Sequence, residues 1–382
     1  MRDQVETAAP LRAHSPPRAL VVVSATYADG GIQRFNRTFL TACDQLGMTS
    51  EVLSLGDSLE VSSSWSEPSS TSVRVFNHNK PRFALEVFAK ILSGDHEVIV
   101  VGHINLLWLV AAATRVKRKA RVILIAHGIE VWTGLTGVRA RALRAVDTIL
   151  CVSRYTRQAI ESQVPQLADE RFTIFPNALS ESWRSITARS SLELPPRFIL
   201  SVTRMDRGDR YKGIPTVLEA LSMVEDDSLQ YIIAGRGNDV DFIKGVAERL
   251  GVAHRVLFVG SVPDSELATL YNQCLAFVLP SAKEGFGIVF LEAMYFGACV
   301  IAASEKGAVD VVQHESTGLL VPYGDTAALK TCIDRVAANP ILRRKLAEAG
   351  RATVIDDGAF TFRSYVRRLE RTLNLTQDES RG

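Results

Sequence analysis

The sequence predicts an α/β protein with two doubly wound domains, each built on a parallel sheet. Three observations support this fold class: a length of 382 residues, an alternation of short apolar runs with helix-length amphipathic stretches, and one break in that alternation. The length suits two domains of about 150–200 residues each. Alternating strands and helices favour a parallel sheet covered by helices on both faces. Two such series in tandem predict two Rossmann-like domains.

The first series of elements precedes residue 177. Its predicted strands are Ala19–Val23, Val98–Val101, Val122–Ile125 and Thr148–Val152, and its predicted helices include Gln33–Leu46 and Phe83–Leu92. The serine-rich stretch Gly56–Ser72 has no period, which predicts a surface loop.

The second series follows residue 197. Its predicted strands are Phe198–Val202, Tyr231–Ala234, Val256–Val259, Ala276–Leu279 and Val300–Ala302. Its predicted helices are Ile214–Met223, Val240–Leu250, Asp264–Asn272 and Ile288–Phe296. A last helix is predicted at Phe360–Leu373, because its large apolar residues recur on one helical face.

The break between the two series lies at Asn177–Pro196. The periodicity lapses there, and the segment ends in the pair Pro195–Pro196, which stiffens a connection and stops helices. We therefore expect a hinge here, with a first domain at residues 1–185 and a second domain at residues 186–359.

Composition and charge exclude several classes of function. The formal net charge is only +2, so the overall balance gives no reason to expect nucleic-acid binding. The five cysteines are scattered and never in C-x-x-C spacing, which argues against a zinc site and fits a reducing cytoplasm. The first eighteen residues are polar, and the apolar run Leu106–Ala113 is far shorter than the about 20 residues of a membrane span. We expect a cytoplasmic protein.

The most specific motif runs from Pro280 to Met294, with the sequence PSAKEGFGIVFLEAM. A strand precedes it, and a glycine-bearing turn leads into a helix, whose first N–H groups and positive dipole end favour an anion. Glu284 lies in the turn and Glu292 in the helix, and two carboxylates at this spacing suit the hydroxyl groups of a pyranose and a ribose. A structural turn with two solvated glutamates is the alternative interpretation.

The second motif follows the first strand of the second series and reads VTRMDRGDRYKG, from Val202 to Gly213. Cations between a strand end and a helix start are well placed for a diphosphate, with forked hydrogen bonds from Arg204 and a point charge from Lys212. Arg207 and Arg210 are alternative candidates for the same role. A plain charged loop is the other interpretation.

Two weaker motifs lie in the first series. Asp29-Gly30-Gly31 follows the first strand, and paired glycines let a backbone approach a ligand closely. The pattern is not G-x-G-x-x-G, so a nicotinamide cofactor is not indicated. His127-Gly128 follows a later strand, where a side chain faces the ligand crevice of such sheets. A turn and a structural histidine are the respective alternatives.

These motifs together resemble glycosyltransferase family 4, the retaining glycosyl transferases group 1 of GT-B fold. The resemblance covers nearly the whole chain and is most specific at the E-x7-E element, where Pro280, Ser281, Glu284, Gly285, Phe286, Gly287, Glu292, Ala293 and Met294 are in register. The sequence departs from the family pattern in the longer Arg204–Lys212 loop and at Ala178, where the family usually has glycine.

The resemblance implies a retaining hexosyltransferase that works on a nucleotide-diphosphate sugar in a cleft between two domains. The resemblance also implies that the enzyme needs no cofactor or catalytic metal. It further implies that the helix at residues 360–375 completes the acceptor-binding first domain. The implied catalytic residues are His127, Glu284, Arg204 and Lys212, and the implied donor-binding residues are Gly31, Gly285, Phe286, Gly287, Ile288, Glu292 and Arg236. The Arg-x-Tyr-Lys-Gly loop resembles enzymes that use GDP-mannose and favours that donor, and UDP-glucose, UDP-N-acetylglucosamine and UDP-glucuronate stay open as alternatives.

The acceptor that the resemblance implies is a glycan or a polyprenyl- or lipid-linked sugar in polysaccharide biosynthesis. The basic run Arg115–Arg121 is typical of a solvated helix end, and the alternative is peripheral contact with anionic lipid at the inner face of the plasma membrane. Two alternatives to a transferase stay open at this point: a GT-B-fold sugar-nucleotide epimerase and a non-catalytic sugar-nucleotide-binding subunit.

Overall fold

The computed structural model describes residues 16–27, 30–57, 65–117, 119–189 and 191–375. The expectations that involve the first fifteen residues, Asp29, residues 58–64 and Arg118 therefore lie outside the described residues. The chain forms two compact units, Met1–Asn177 with Phe362–Gly382, and Ala178–Thr361.

The first unit contains a seven-stranded sheet. Its strands are β1 (Arg18–Val23), β2 (Thr49–Ser54), β3 (Thr71–Val75), β4 (Val98–Val101), β5 (Arg121–Ala126), β6 (Thr148–Cys151) and β7 (Phe172–Ile174). They are ordered β3-β2-β1-β4-β5-β6-β7, and every pairing between them is parallel. The chain order reverses between β1 and β4, and the carboxyl edge beside such a reversal is where open α/β sheets bind ligands.

The helices of the first unit cover this sheet. They are α1 (Gly31–Gln45), α2 (Lys80–Ser93), α3 (Ile104–Val116), α4 (Gly137–Leu143) and α5 (Arg154–Gln163), together with α12 (Phe362–Leu373) from the end of the chain. Tyr365 of α12 is fully buried, and its ring contacts Phe35 of α1 and Phe175. The predicted apolar face of the last helix is confirmed, because Phe362, Leu369 and Leu373 are buried as well.

The second unit contains a six-stranded parallel sheet ordered β10-β9-β8-β11-β12-β13. Its strands are β8 (Phe198–Val202), β9 (Gln230–Ala234), β10 (Val256–Gly260), β11 (Ala276–Leu279), β12 (Val300–Ala303) and β13 (Leu319–Val321). Its helices are α6 (Ile214–Met223), α7 (Val240–Arg249), α8 (Asp264–Gln273), α9 (Ile288–Tyr295), α10 (Thr326–Ala338) and α11 (Pro340–Ala352). The central strands β8 and β11 are adjacent, and the chain order reverses between them.

The structure confirms the predicted α/β class with two parallel sheets and adds elements that the sequence did not indicate. β2, β3, β7 and β13 were not predicted, and the apolar run Leu106–Ala113 lies inside helix α3. The expected loop Gly56–Ser72 was wrong at its end, since Thr71 and Ser72 pair with β2 as the start of β3. Within the described ranges, every helix is too short or too polar to cross a lipid bilayer.

Candidate functional site

Two loops meet at the carboxyl edge of the second sheet. One loop leaves β8 and leads to α6, and the other leaves β11 and leads to α9. The backbone N–H of Ala282 donates to the carbonyl oxygen of Tyr211 over 2.8 Å, which ties the two loops together. Gly213 has a φ of 80°, and a Cβ on this residue would lie 2.5 Å from the Pro280 carbonyl oxygen. The close approach therefore requires glycine.

Lys212 and Glu284 form an ion pair where these loops meet. The Lys212 Nζ atom lies 2.6 Å from Glu284 Oε1, and the side chains are 19% and 10% exposed. The structure thus brings together two of the predicted catalytic residues. A carboxylate this buried needs a partner, because burying an unpaired charge is costly.

Helix α9 begins directly after the second loop. Gly287 precedes it with a φ of 90°, and a Cβ there would lie 2.4 Å from the Phe290 ring. Phe286 is buried and packs edge-on against Phe360. The backbone N–H of Gly307 donates to the carbonyl oxygen of Glu284 over 3.0 Å. The turn from Gly285 to Ile288 is thus fixed from two sides, with the positive end of the α9 dipole at its exit.

Glu292 lies one turn into α9 and is only 3% exposed. The hydroxyl of Tyr271, on α8, donates to Glu292 Oε2 over 3.2 Å. This hydrogen bond holds the carboxylate at a defined position, and the sequence motif gave no indication of Tyr271.

Arg204 extends from the end of β8 with a side chain that is 69% exposed. Its Nε and Nη2 atoms donate to the two carboxylate oxygens of buried Asp209, over 2.7 and 3.2 Å. This hydrogen bond with Asp209 raises the pKa of Arg204 above its ordinary value. The fork that the sequence analysis assigned to a diphosphate is thus engaged by a carboxylate five residues away.

Arg210, one of the two alternative cations, is held elsewhere. Its guanidinium makes a forked pair with buried Asp239, over 2.7 and 2.9 Å, and lies 3.7 Å from the centre of the Phe242 ring. Arg207 is exposed at the start of the turn that contains Arg210. Among these arginines, the one nearest the strand end is therefore Arg204.

Arg236 lies at the same sheet edge, in the loop after β9. Its carbonyl oxygen accepts a hydrogen bond from the Met205 backbone N–H over 3.0 Å. A Cβ on the neighbouring Gly235, whose φ is 137°, would lie 1.9 Å from the Thr203 carbonyl oxygen. The loops after β8 and β9 are therefore in contact, and the Arg236 side chain is exposed beside them.

His127 lies in the first unit at the carboxyl end of β5. Its Nε2 atom lies 3.0 Å from the Gly102 carbonyl oxygen, which can only accept, so the Nε2–H donates and Nδ1 is left as an acceptor. Burial lowers the pKa of His127 to about 4, so the imidazole is neutral at physiological pH. The ring packs edge-on against Phe35, with 4.9 Å between centroids.

The loop that carries His127 is held by Glu130. Its Oε1 atom accepts hydrogen bonds from the backbone N–H groups of His127 and Gly128, over 2.6 and 3.2 Å. The sequence did not predict this contact, although an acidic residue four positions after the strand end is the signal that indicates it.

Gly31 is the first residue of α1, next to the carboxyl end of β1. The loop before it is fixed by Asp57, which is 1% exposed and accepts hydrogen bonds from the backbone N–H of Thr26 and the hydroxyl of Ser54, over 2.5 and 2.7 Å. The Arg37 side chain donates to the Thr26 carbonyl oxygen over 3.1 Å. The sequence did not indicate Asp57, because it lies after an unpredicted strand.

The basic run Arg115–Arg121 is partly engaged within the first unit. Lys117 Nζ donates to the Leu92 carbonyl oxygen over 2.5 Å, and Arg121 Nη2 donates to the Thr148 hydroxyl over 2.8 Å. Arg115 and Lys119 are the exposed cations of the run that lie within the described residues. The run is therefore not a continuous solvent-facing patch.

Two family models match the chain and together cover most of it. The model "Glycosyltransferase Family 4" matches residues 29–182, and "Glycosyl transferases group 1" matches residues 185–353.

The chain is also similar in sequence to proteins that are named as glycosyltransferases. The chain is 30% identical over 291 residues to the GDP-mannose-dependent alpha-(1-6)-phosphatidylinositol monomannoside mannosyltransferase of Mycobacterium tuberculosis. The matched residues cover 71% of this chain and 74% of the relative. It is 26% identical over 228 residues to human alpha-1,3/1,6-mannosyltransferase ALG2, which covers 54% of both chains.

Solved structures share the fold at low sequence identity. A sucrose-phosphate synthase from Thermosynechococcus elongatus superposes with a TM-score of 0.77 at 20% identity, over 94% of this chain and 98% of that chain. Anabaena Alr3699/HepE in complex with UDP gives a TM-score of 0.74 at 17% identity, over 94% and 100%. These similarities are to GT-B glycosyltransferases and confirm the predicted fold class. With the family models and the mycobacterial relative, they establish that the chain is a glycosyltransferase and belongs to glycosyltransferase family 4.

Proposed function

We propose that this glycosyltransferase transfers mannose from GDP-mannose to a glycan or lipid-linked acceptor, with retention of configuration and without a divalent metal. The observation that carries the proposal is the Lys212–Glu284 pair at the carboxyl edge of the second sheet, 2.6 Å apart and beside the start of α9. A cation, a carboxylate and a helix N-terminus at one point suit a sugar diphosphate, in which a dianionic group adjoins a ring of hydroxyls.

The leaving group requires positive charge where its own negative charge develops. As the bond from the anomeric carbon to the diphosphate oxygen breaks, the diphosphate gains a negative charge, which fixed cations stabilise more strongly than mobile water does. Lys212, Arg204 and the N-terminus of α9 supply that potential here. Lys212 then exchanges its partner Glu284 for the diphosphate.

Glu284 binds the donor sugar in this proposal. Once Lys212 contacts the diphosphate, the Glu284 carboxylate accepts hydrogen bonds from hydroxyl groups of the hexose, while Glu292 accepts from the ribose. Glu292 is already oriented for one contact by Tyr271. His127, which is neutral and has Nδ1 available as an acceptor, receives a further sugar hydroxyl.

Retention is assigned to a front-face substitution. The departing diphosphate oxygen takes the proton of the acceptor hydroxyl while that hydroxyl bonds to the same face of the anomeric carbon. No carboxylate nucleophile is assigned, because Glu284 and Glu292 both have roles in holding hydroxyls. Charge supplied by the protein then replaces the divalent cation, and no cofactor takes part.

The donor is argued from the relatives. The mycobacterial relative is named as GDP-mannose-dependent and acts on a phosphatidylinositol monomannoside, and the human relative is named as a mannosyltransferase. A lipid-linked acceptor would place the protein at the inner face of the plasma membrane, where exposed Arg115 and Lys119 contribute attraction to anionic lipid. Co-sedimentation with phosphatidylglycerol vesicles, compared between the wild type and a variant with both residues changed to glutamine, tests this contact.

Thermal unfolding with GDP, UDP and ADP tests the donor assignment, because a ligand stabilises the folded state by RT ln(1 + [L]/Kd). The proposal predicts the largest rise in Tm with GDP. Product analysis by NMR after incubation with GDP-mannose and a mannoside acceptor then gives the anomer. An α-linked product supports retention, and a β-linked product or a preference for UDP contradicts the proposal.

A further inference from the structure

A cavity lies in the second unit, at the edge of its sheet opposite to Lys212 and Glu284. The cavity has a volume of about 690 Å³, within the range of small-molecule sites. One wall is formed by the carboxyl ends of α8 and α9, and the other wall is formed by α11. Both α8 and α9 end just before a strand begins, so the cavity lies at the amino edge of the sheet.

The two sites are therefore separate. Lys212 and Glu284 follow the carboxyl ends of β8 and β11, while this cavity precedes the amino ends of β11 and β12. β11 spans four residues, which corresponds to about 13 Å of sheet between the two edges. A ligand in the cavity does not occupy the proposed donor site.

The cavity carries an excess of positive charge. Three arginines line it, Arg343, Arg344 and Arg351, against one carboxylate, Glu348. Within the part of the chain that the structure describes, none of the three guanidinium groups is paired with a carboxylate. Clustered cations in a concave surface produce a positive potential that attracts anions.

Helix capping accounts for only part of these cations. Arg343 Nη1 donates to the Val336 carbonyl oxygen over 2.6 Å, and Arg351 Nε donates to the Tyr295 carbonyl oxygen over 3.1 Å. Arg343 thus caps the carboxyl end of α10, and Arg351 caps the carboxyl end of α9. Each guanidinium has five N–H donors, and each of the two capping bonds uses one donor of its own arginine. Arg344 is exposed and makes no such bond among the described residues. The two capping bonds hold two forks in place and leave donors for a ligand.

The remaining lining residues suit a sugar. Asn272 and Gln273 are exposed, and amide groups both donate to and accept from hydroxyls. The Asn272 Nδ2 atom donates one of its two N–H groups to the Phe296 carbonyl oxygen over 3.3 Å, which leaves the other N–H and the amide oxygen for a ligand. Tyr295 and Phe296 are partly exposed residues of the lining, and aromatic side chains suit the apolar face of a pyranose. Guanidinium groups bind carboxylates and phosphates through paired hydrogen bonds.

We propose that this cavity, defined by Arg343, Arg344, Arg351, Asn272 and Tyr295, binds an acidic oligosaccharide that carries carboxylate or phosphate groups. It is a second carbohydrate site on a glycosyltransferase, remote from the donor residues. A glycan held there stays on the enzyme while its growing end moves between turnovers.

The test measures binding of a hyaluronan tetrasaccharide to the full chain by titration calorimetry. Maltotetraose serves as the neutral counterpart of equal length, and inorganic phosphate serves as the simple anion. We expect the acidic tetrasaccharide to bind at least about tenfold more tightly than the neutral one, which corresponds to the about 1.4 kcal/mol of one charge-assisted contact. Equal binding of both tetrasaccharides, or no binding of the acidic one, overturns the proposal.

Matched variants on one helix locate the site. Arg344→Glu should weaken binding of the acidic tetrasaccharide by about tenfold or more. Lys345→Glu makes the same charge change at the next exposed position, outside the cavity lining, and should change the Kd by less than about twofold. Equal loss in both variants shows a general charge effect and overturns the site. Tighter binding of phosphate than of the tetrasaccharide also overturns it, because the cavity is then an anion site without sugar recognition.

A second readout separates this proposal from the donor assignment. The Tm rise produced by nucleotide should be the same in Arg344→Glu as in the wild type, because that residue lies at the other sheet edge. Trp183 packs on Phe296 with 5.7 Å between ring centroids, so its fluorescence should change when the tetrasaccharide binds. Trp183→Phe identifies that signal, and a fluorescence change that persists in this variant places the ligand elsewhere.

Discussion

At the scale of single residues, Lys212 is the side chain on which the proposed transfer depends most. Replacement by methionine keeps much of the apolar stem and removes the charge. Transfer should then fall by about 100- to 1000-fold in kcat, the usual loss when one preorganised donor to a developing anion is removed. Steady-state kinetics with saturating donor measure this. Lys283→Met, which changes an exposed lysine in the neighbouring loop between β11 and α9, should stay within about threefold.

The same substitution has a separate effect on stability. Lys212→Met leaves the Glu284 carboxylate, 10% exposed, without its cation, so the free energy of unfolding should fall by up to about 3 kcal/mol. The double variant Lys212→Met with Glu284→Gln should regain most of that stability and none of the activity. Recovery of activity in the double variant would mean that the pair is structural and has no part in transfer.

His127 gives a prediction in acid. Its folded pKa of about 4 lies below the ordinary value of 6.5, so the unfolded chain binds more protons between these values and stability falls as the pH falls through that window. The full contribution is at most about 3 kcal/mol. Urea unfolding at pH 7 and pH 5 should show a smaller acid loss in His127→Gln than in the wild type. An equal loss in both proteins would show that His127 is not held neutral.

At the scale of elements, the entry into α9 sets the geometry of the donor loop. Gly287→Ala forces a side chain into a φ of 90° and against the Phe290 ring, so the free energy of unfolding should fall by about 2 kcal/mol or more. Gly251→Ala is the control, because Gly251 has a φ of 72° but no atom within 4 Å of the added Cβ. Thermal unfolding should show the larger loss for Gly287. Equal losses would mean that backbone strain alone, without the contact with the Phe290 ring, explains the destabilisation by alanine at position 287.

The loop between β8 and α6 depends on Asp209. Asp209→Asn weakens the forked pair that orients Arg204, so the KM for the donor should rise by about tenfold while the fold is retained. Asp206→Asn is the control, because Asp206 lies farther from Arg204, at 3.6 Å. A rise in KM that is the same for both would indicate a general charge effect on the loop.

The elements that the sequence predicted are those with a continuous apolar signal. Central strands such as Phe198–Val202 and Ala276–Leu279 have their predicted bounds, because both faces of these strands are buried. β2 and β3 carry polar residues, and β7 and β13 have three residues each, so they gave no such signal. The site motifs were placed correctly in loops after strands, but the partners Asp209 and Tyr271 depend on folded loop geometry, which spacing does not encode.

At the scale of the whole molecule, the first unit is discontinuous in sequence. α12 follows the entire second unit, yet Tyr365 packs against Phe35 and Phe175 of the first unit. Tyr365→Ala should destabilise the first unit by about 3–5 kcal/mol, as for other fully buried aromatic residues. Hydrogen exchange should show faster exchange in α1 and unchanged exchange in α6. Equal changes in both helices would contradict the division into two units.

The central claim is that charge built into the polypeptide, at Arg204, Lys212 and the start of α9, stabilises the departing diphosphate. The most direct test is the initial rate of mannose transfer from GDP-mannose in excess EDTA, compared with the rate in millimolar magnesium or manganese. The account predicts rates equal within about twofold in the wild type and a deep loss in Lys212→Met under both conditions. A wild-type rate that vanishes in EDTA and returns with either metal would contradict it.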